Sequence, residues 1–589
     1  MIQALALALF ALADAPPRIG AKIAPFSFVD TRWLSRSLDD FGEKKAFVVV
    51  FTTVDCPLAK RVLPRVAELE KSWRERGVAF LVVDVGDDDD LVEVAANAVE
   101  AGLEFPCARD FDGAVRRALQ PTRSPEVCVL DAARVLRYRG RVSSEERLGG
   151  ATAAPVVHDL AAALEDIVSG RSVSRPETPL EGCKLNPLTE LEPATFVPDY
   201  TELVQPILAQ HCVSCHAIGG SAPFELETPA GAQRHAAMIG EVVLQRRMPP
   251  WFASERYGHF ANERRLTDAE RRVVLAWAEN GSADSAGREK QPENKPKTTS
   301  NPVAAWRIGT PDLVLESEAI RVRASGTVPY RYVVLPHLFT RDTWVERVEI
   351  RPSDPRVLHH ANLGFYTLGG DVKAANFITG QVPGGDPMDL GVGTAALIPA
   401  GSVLGLQVHH VPYGVATEDV IQVGLRFPRD VVRKRMRHHE IADMRFAIPP
   451  FAPAHPVRAT RTFAEDSVGI GMFVHMHLRG RDMRYDARFP DGHNETLLLV
   501  PNYDFNWQTA YRWRKDAMLF PKGTTVECLA HFDNSAFNPW NPEPEKRVTF
   551  GQETTDEMMY GFLFYVHQNE DLELAIDPSN GGVIERSSK

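Results

Sequence analysis

Apolar runs alternate with helical spacing over the first third of the chain. Residues 46–52 and 78–85 are almost unbroken apolar runs and read as buried strands. Residues 58–76 carry apolar positions three and four apart, which predicts an amphipathic helix. Residues 126–130 and 135–142 suggest a closing hairpin, and helical spacing returns over 156–168. Strands alternating with helices imply an α/β sandwich over residues 18–185, closed by a proline-rich joint at 175–198. Helical patterns then dominate, predicting an all-α domain over 195–285, and the polar, proline-bearing stretch 286–302 reads as an exposed linker. Beyond it, short alternating runs broken by Gly, Pro and Asp predict two all-β sandwiches. The proline-rich stretch 448–456 divides them into 303–447 and 448–589.

A chain of 589 residues is too long for one core, in keeping with this multidomain reading. The net charge of -12, with no basic stripe, argues against nucleic acid as a partner. The acidic run from Asp87 to Asp90 reads as a solvated loop or helix start rather than a calcium site. Residues 1–15 hold a short apolar run and a small-residue stretch, the outline of a signal peptide without a leading positive charge. No stretch predicts a transmembrane helix. Seven cysteines, Cys56, Cys107, Cys128, Cys183, Cys212, Cys215 and Cys528, are too few to form a disulfide scaffold in so long a chain.

Two of them have a role visible from spacing. Cys212-Val213-Ser214-Cys215-His216 is an attachment motif for c-type haem, in which both thiols bond the vinyl groups and the histidine ligates iron. Met248, in Met248-Pro249-Pro250-Trp251, follows at a spacing suited to the opposite axial ligand. The segment resembles a class I cytochrome c domain. That resemblance implies one covalent haem held by Cys212, Cys215, His216 and Met248, an electron-transfer role, and a periplasmic or secreted location.

The order strand, Thr53-Val54-Asp55-Cys56-Pro57, helix, then Ser124-Pro125-Glu126 before a strand resembles the thioredoxin and peroxiredoxin superfamily. A thiol at a helix N-terminus is acidified by the helix dipole, which makes Cys56 a candidate redox thiol. Ala59 replaces the second cysteine of a CxxC motif, so a resolving thiol has to come from Cys107, Cys128 or Cys183, or the module is structural.

The C-terminal half is spaced for metal. His475 and His477 lie two apart, so on a strand both rings face one side. His359 and His360 are adjacent and diverge on a regular strand, so joint ligation with His409 requires a bulge or a strand end. Met558 follows Asp556-Glu557, and a thioether ligand favours Cu(I). His410, His438, His439, His455, His493, His531 and His567 read as ordinary hydrogen-bonded histidines.

With Leu-Gln-Val-His409 and Asp-Glu-Met558 in order behind the His pair, residues 303–589 resemble the copper type II, ascorbate-dependent monooxygenases. The resemblance implies jelly-roll-like sandwiches with two coppers facing a solvent-filled cleft. His359, His360 and His409 would hold the electron-storing copper. His475, His477 and Met558 would hold the catalytic copper, where oxygen binds and hydrogen is abstracted. The expected function is an extracytoplasmic monooxygenase acting on a small-molecule or peptide substrate with O2. The fused haem, or ascorbate, would be the electron donor. The alternatives are a non-catalytic copper or electron-transfer protein, a blue-copper site built on Cys528, His531 and a methionine, and a thiol peroxidase or redox sensor working through Cys56.

Overall fold

A computed structural model describes residues 16–145, 147, 155–188, 196–218, 220, 222–281, 306–326, 328–371 and 376–584. The expected signal peptide and the linker at 286–302 lie outside these residues.

The N-terminal unit is built on a seven-stranded sheet. Its inner strand Ala46–Thr52 is buried at every position, because a strand covered on both faces has no polar side to show. It runs parallel to Val78–Asp84 and antiparallel to Glu126–Asp131, which continues into Leu136–Gly140 as the predicted hairpin. Pro57–Arg74 and Asp159–Val168 pack on one face with Val48, Val50 and Phe80, while Val115 and Leu119 pack with Phe47 and Val49 on the other. The joint assigned to 175–198 is in its first half part of this unit. Residues 170–188 fold back as a strap, with Cys183–Lys184 paired to Arg123–Ser124.

From Tyr200 to Gly281 the named elements among the described residues are all helical: Tyr200–Val204 running into Gln205–His211, then Pro229–Arg234, Ala236–Leu244, Asp268–Ala276 and Trp277–Gly281. Leu208, Ala232, Ile239, Val243, Val274 and Trp277 form their common core. The intervening stretch leaves this core. Trp251, Phe252 and Phe260 are buried in the core of the C-terminal β unit.

The remainder is β. One four-stranded sheet holds Arg331–Phe339, Ser402–His410, Leu358–Thr367 and Asn376–Gln381. It shares a core with the sheet of Leu313–Glu316, Ile421–Arg426 and Arg347–Pro352. A second sandwich pairs a five-stranded sheet containing Ser467–His475 and Tyr560–His567 with a four-stranded sheet containing Gly480–Arg488 and Thr525–Phe532. The division between the sandwiches falls earlier than the proline-rich stretch at 448–456. Arg437–Ala442 already pairs antiparallel with Tyr560–His567, and its Ile441 is buried in the core of the second sandwich. The chain end returns to the first sandwich, where Ile576 packs with Trp344, Ala395 and Val432.

Candidate metal and redox sites

The strand Leu358–Thr367 pairs with Ser402–His410, and the register slips between Leu358 and His360, where His360 faces His409. This is the bulge that adjacent histidine ligands require: an extra residue lets both rings turn to one side. The ring centroids of His359, His360 and His409 lie 5.1–5.3 Å apart. One nitrogen from each falls within 4.8 Å of the others. His409 Nδ1 is buried with no hydrogen-bond partner. Burial and the neighbouring imidazoles hold His360 far below the usual histidine range, and burial pushes His409 down to about 3. Three neutral imidazoles, one with an orphaned buried lone pair, fit a cation that nitrogen ligands favour.

The second set lies across the interface between the sandwiches. Ser467–His475 ends at His475, so His477 stands beyond the strand, yet the two rings are 5.3 Å apart. His475 Nδ1 lies 2.7 Å from Gln508 Oε1, and His477 Nδ1 lies 3.3 Å from the carbonyl of Asp556. In each ring this leaves Nε2 as the free ligand atom, the arrangement in which an outer hydrogen bond fixes ring orientation. Met558 is 9% exposed, and with His475 it lines a cleft of about 370 Å³ walled by Phe377, Phe473, Tyr560 and Phe562.

Two features of this centre have no signal in residue spacing. The first is Glu557, fully buried, which accepts the amides of His477 at 2.9 Å, Arg479 at 2.7 Å and Met558 at 3.2 Å. Burial pushes its pKa up to about 8 against those donors. The second is the segment 503–508. Tyr503 donates to the carbonyl of Met476 at 2.6 Å, Asn506 Oδ1 lies 3.2 Å from His359 Nε2, and Gln508 holds His475. Between them, the Phe505 ring stands 5.1 Å from His359 and 6.0 Å from His477. An aromatic ring therefore occupies part of the space expected to be a solvent-filled cleft. The aromatic content of 503–513 was the available signal, but it does not separate a pocket wall from core. Tyr503, Phe505, Tyr511 and Trp513 are core residues here.

The histidines set aside as non-ligands include several in carboxylate pairs: His410 with Asp419 at 2.9 Å, His493 with Asp491 at 2.8 Å and His531 with Asp482 at 2.7 Å. A blue-copper site from Cys528 and His531 is ruled out by strand alternation. In Thr525–Phe532, Cys528 points into the core beside Tyr485, while His531 takes the opposite face.

In the helical region, the Cys212 carbonyl accepts the amides of Cys215 at 3.1 Å and His216 at 3.0 Å. The motif therefore folds as one tight turn after Gln205–His211. His216 Nδ1 lies 2.9 Å from the carbonyl of Phe224, which leaves Nε2 for a metal. These residues fit a covalently held haem. Met248 lines a small cavity with Val243, Pro249, Trp251 and Leu266. At Gly384, a Cβ would meet Cys215 Sγ at 3.6 Å and Trp507 at 3.7 Å. The turn and the 503–508 segment, which orients both histidine sets, therefore both approach Gly384.

Cys56 caps Pro57–Arg74, receives the Ala59 amide at 3.5 Å and lies 3.0 Å from the carbonyl of Ser124, which precedes the cis Pro125. Cys183 Sγ stands 2.8 Å from Cys56 Sγ. Burial raises the Cys56 pKa, but hydrogen bonds from Cys183 and Ala59 outweigh it and bring the thiol below its ordinary value. Cys107 and Cys128 are sealed in strands, where burial pushes their thiols up to about 12 and about 11.

The Redoxin family model matches residues 19–155. Similar solved structures include a hypothetical protein from Sinorhizobium meliloti 1021, 24% identical, covering 29% of this chain and 94% of that one at a TM-score of 0.27. An uncharacterized conserved protein from Geobacillus kaustophilus is 24% identical, covering 30% and 96% at a TM-score of 0.27. A secreted disulfide oxidoreductase from Mycobacterium tuberculosis is 16% identical, covering 25% and 95% at a TM-score of 0.19. No curated protein matches. The N-terminal unit is thus a redoxin-type, thioredoxin-like domain. No helix among the described residues is long and apolar enough to cross a membrane.

Proposed function

We propose that this chain is a periplasmic or secreted copper-dependent monooxygenase with a built-in c-type haem. It would hydroxylate an organic substrate with O2. The reaction places one oxygen atom in the product and the other in water, so two electrons and two protons must come from outside the C–H bond. The observation that carries the reading is the convergence of His359, His360 and His409 nitrogens within 4.8 Å, across a bulge that a structural histidine pair does not need.

Those three would hold one copper, and His475, His477 and Met558 the other, while Cys212, Cys215 and His216 would hold the haem. When bound, copper supplies electron storage and oxygen activation, and haem supplies one-electron carriage. The protein's own part is to keep all five imidazoles neutral by burial and to fix ring directions through Asn506, Gln508 and the Asp556 carbonyl. The aromatic walls of the cleft at His475 and Met558 favour an organic substrate with an apolar body. The approach of both Cys215 and Trp507 to Gly384 supports the fused haem as electron donor, with ascorbate as the simpler alternative.

A second reading, copper carriage or electron transfer without oxygenation, has one observation in its favour: Phe505 packs against histidines of both sets. Metal analysis and oxygen uptake decide. Two coppers and one haem per chain, with uptake matched by hydroxylated product, are expected. Loss of one copper in a His475→Ala/His477→Ala variant would locate the second site. Zinc in place of copper, or full copper loading with no oxygen uptake under reductant, would sink the monooxygenase reading.

A further inference from the structure

The cysteine missing at Ala59 has a replacement from far along the chain. We propose that Cys56 and Cys183 form a reversible dithiol–disulfide couple that exchanges two electrons with an external dithiol or disulfide, entering through Cys183. The two sulfurs are 2.8 Å apart, against about 2.05 Å for a bonded pair, so closure needs a shift of under about an ångström.

The placement is specific. Cys183 sits on a two-residue strand whose register pairs it with Ser124, the residue whose carbonyl touches Cys56. Arg123 Nη1 donates to the Gly182 carbonyl at 2.7 Å, and Leu185 donates to Thr122 at 3.0 Å. Gly182 has φ +129°, and a Cβ there would lie 2.2 Å from the Ser124 carbonyl oxygen. Only glycine lets the strap approach this closely. Cys107 and Cys128, the other sequence candidates for a resolving thiol, are buried in strands.

Exposure and chemistry set the order of events. Cys56 is 2% exposed, whereas Cys183 is half-buried and reachable. In the reducing direction an external thiolate attacks the Cys183 sulfur. The Cys56–Cys183 bond breaks, and Cys56 leaves as a thiolate at the helix N-terminus, where it is the better leaving group. A second external thiolate then displaces Cys183, which takes up a proton. The external dithiol ends as a disulfide, and this chain gains two electrons. Oxidation is the same sequence reversed, with the external disulfide reduced.

The full-length protein would be equilibrated in glutathione redox buffers, quenched in acid, alkylated and mapped by mass spectrometry. A Cys56–Cys183 linked peptide should form and vanish in one two-electron transition, and be absent in Cys56→Ser and Cys183→Ser. In Cys56→Ser, a glutathione adduct should persist on Cys183, because nothing resolves it. Gly182→Ala, which moves the strap without removing a thiol, should lower the linked fraction. The idea is overturned if both thiols stay alkylatable across the whole range, or if the linked form resists reduction until the protein is denatured. These readouts use no metal, so they stand or fall apart from the copper reading.

Discussion

Glu557 is the residue on which the second histidine set depends most. Its carboxylate accepts the amides of His477, Arg479 and Met558, tying two separate stretches of backbone to one buried group. Glu557→Ala would leave these donors unsatisfied in a dry site and should cost about 3–5 kcal/mol in denaturant unfolding. Glu557→Gln keeps one acceptor oxygen but turns an NH2 donor toward an amide that the other oxygen served, so it should cost less than Ala without being neutral; no loss in either variant would refute this role. The imidazoles predict a pH dependence. His477 is 2% exposed, and burial pushes its pKa down to about 3. Unfolded histidine titrates near 6.5. Below that pH the unfolded chain binds a proton that the folded chain refuses, so metal-free stability should fall as pH drops from about 6.5 towards 3. The slope from this imidazole is at most roughly 1.4 kcal/mol per pH unit. Urea unfolding at pH 7 and pH 5 should show a smaller loss in His477→Gln than in the parent; parallel losses would contradict the assignment.

At the scale of elements, the strap, the bulge and one loop carry the sites. The segment 503–508 predicts a separation of effects: Gln508→Ala should weaken copper binding only at the His475 set, by about 10–100-fold. Phe505→Ala should weaken both sets together, since its ring packs on both. Copper titration of each variant tests this, and a Phe505 effect confined to one set would count against a shared element. Much of this scale was legible in sequence. Unbroken apolar runs gave Ala46–Thr52 and Val78–Asp84, and two adjacent histidines demanded an irregular strand that is present at Leu358–His360. Other parts could not be read. Period-two spacing says that His475 and His477 share a side but not that the strand stops between them. The Cys56–Cys183 contact joins residues 127 apart through a glycine whose conformation has no pattern signal. Proline content marked a boundary at 175–198, yet prolines within a strap that packs back on its own domain look the same in sequence as those of a linker.

Across the whole molecule, the acidic run that read as a solvated loop or helix start does begin a helix, and it also meets the helical region. Asp90 caps Leu91–Glu100 and meets Arg246 at 3.2 Å, and Asp88 meets Arg271 at 3.3 Å, both arginines belonging to the helical region. Asp386 gathers Arg264, Arg307 and Arg512, one from the helical region and one from each flank of the β units. Trp251, Phe252 and Phe260 then tie the helical region into the C-terminal core. Such interlocking makes the redoxin-type domain part of a larger cooperative body rather than a loosely attached module. Glu93 tests this most directly. With a side chain 4% exposed, it receives Ser254 Oγ at 3.1 Å and the Glu255 amide at 2.8 Å, and pairs with Arg256 at 2.7 Å. Glu93→Ala removes the acceptor and leaves those donors facing a buried surface, at a cost of about 3 kcal/mol to the junction. Calorimetry should show the redoxin-type domain unfolding with the β region in the parent chain and at a separate, lower temperature in the variant. Two separate transitions already present in the parent chain would mean that the contacts at Glu93 do not couple the domains.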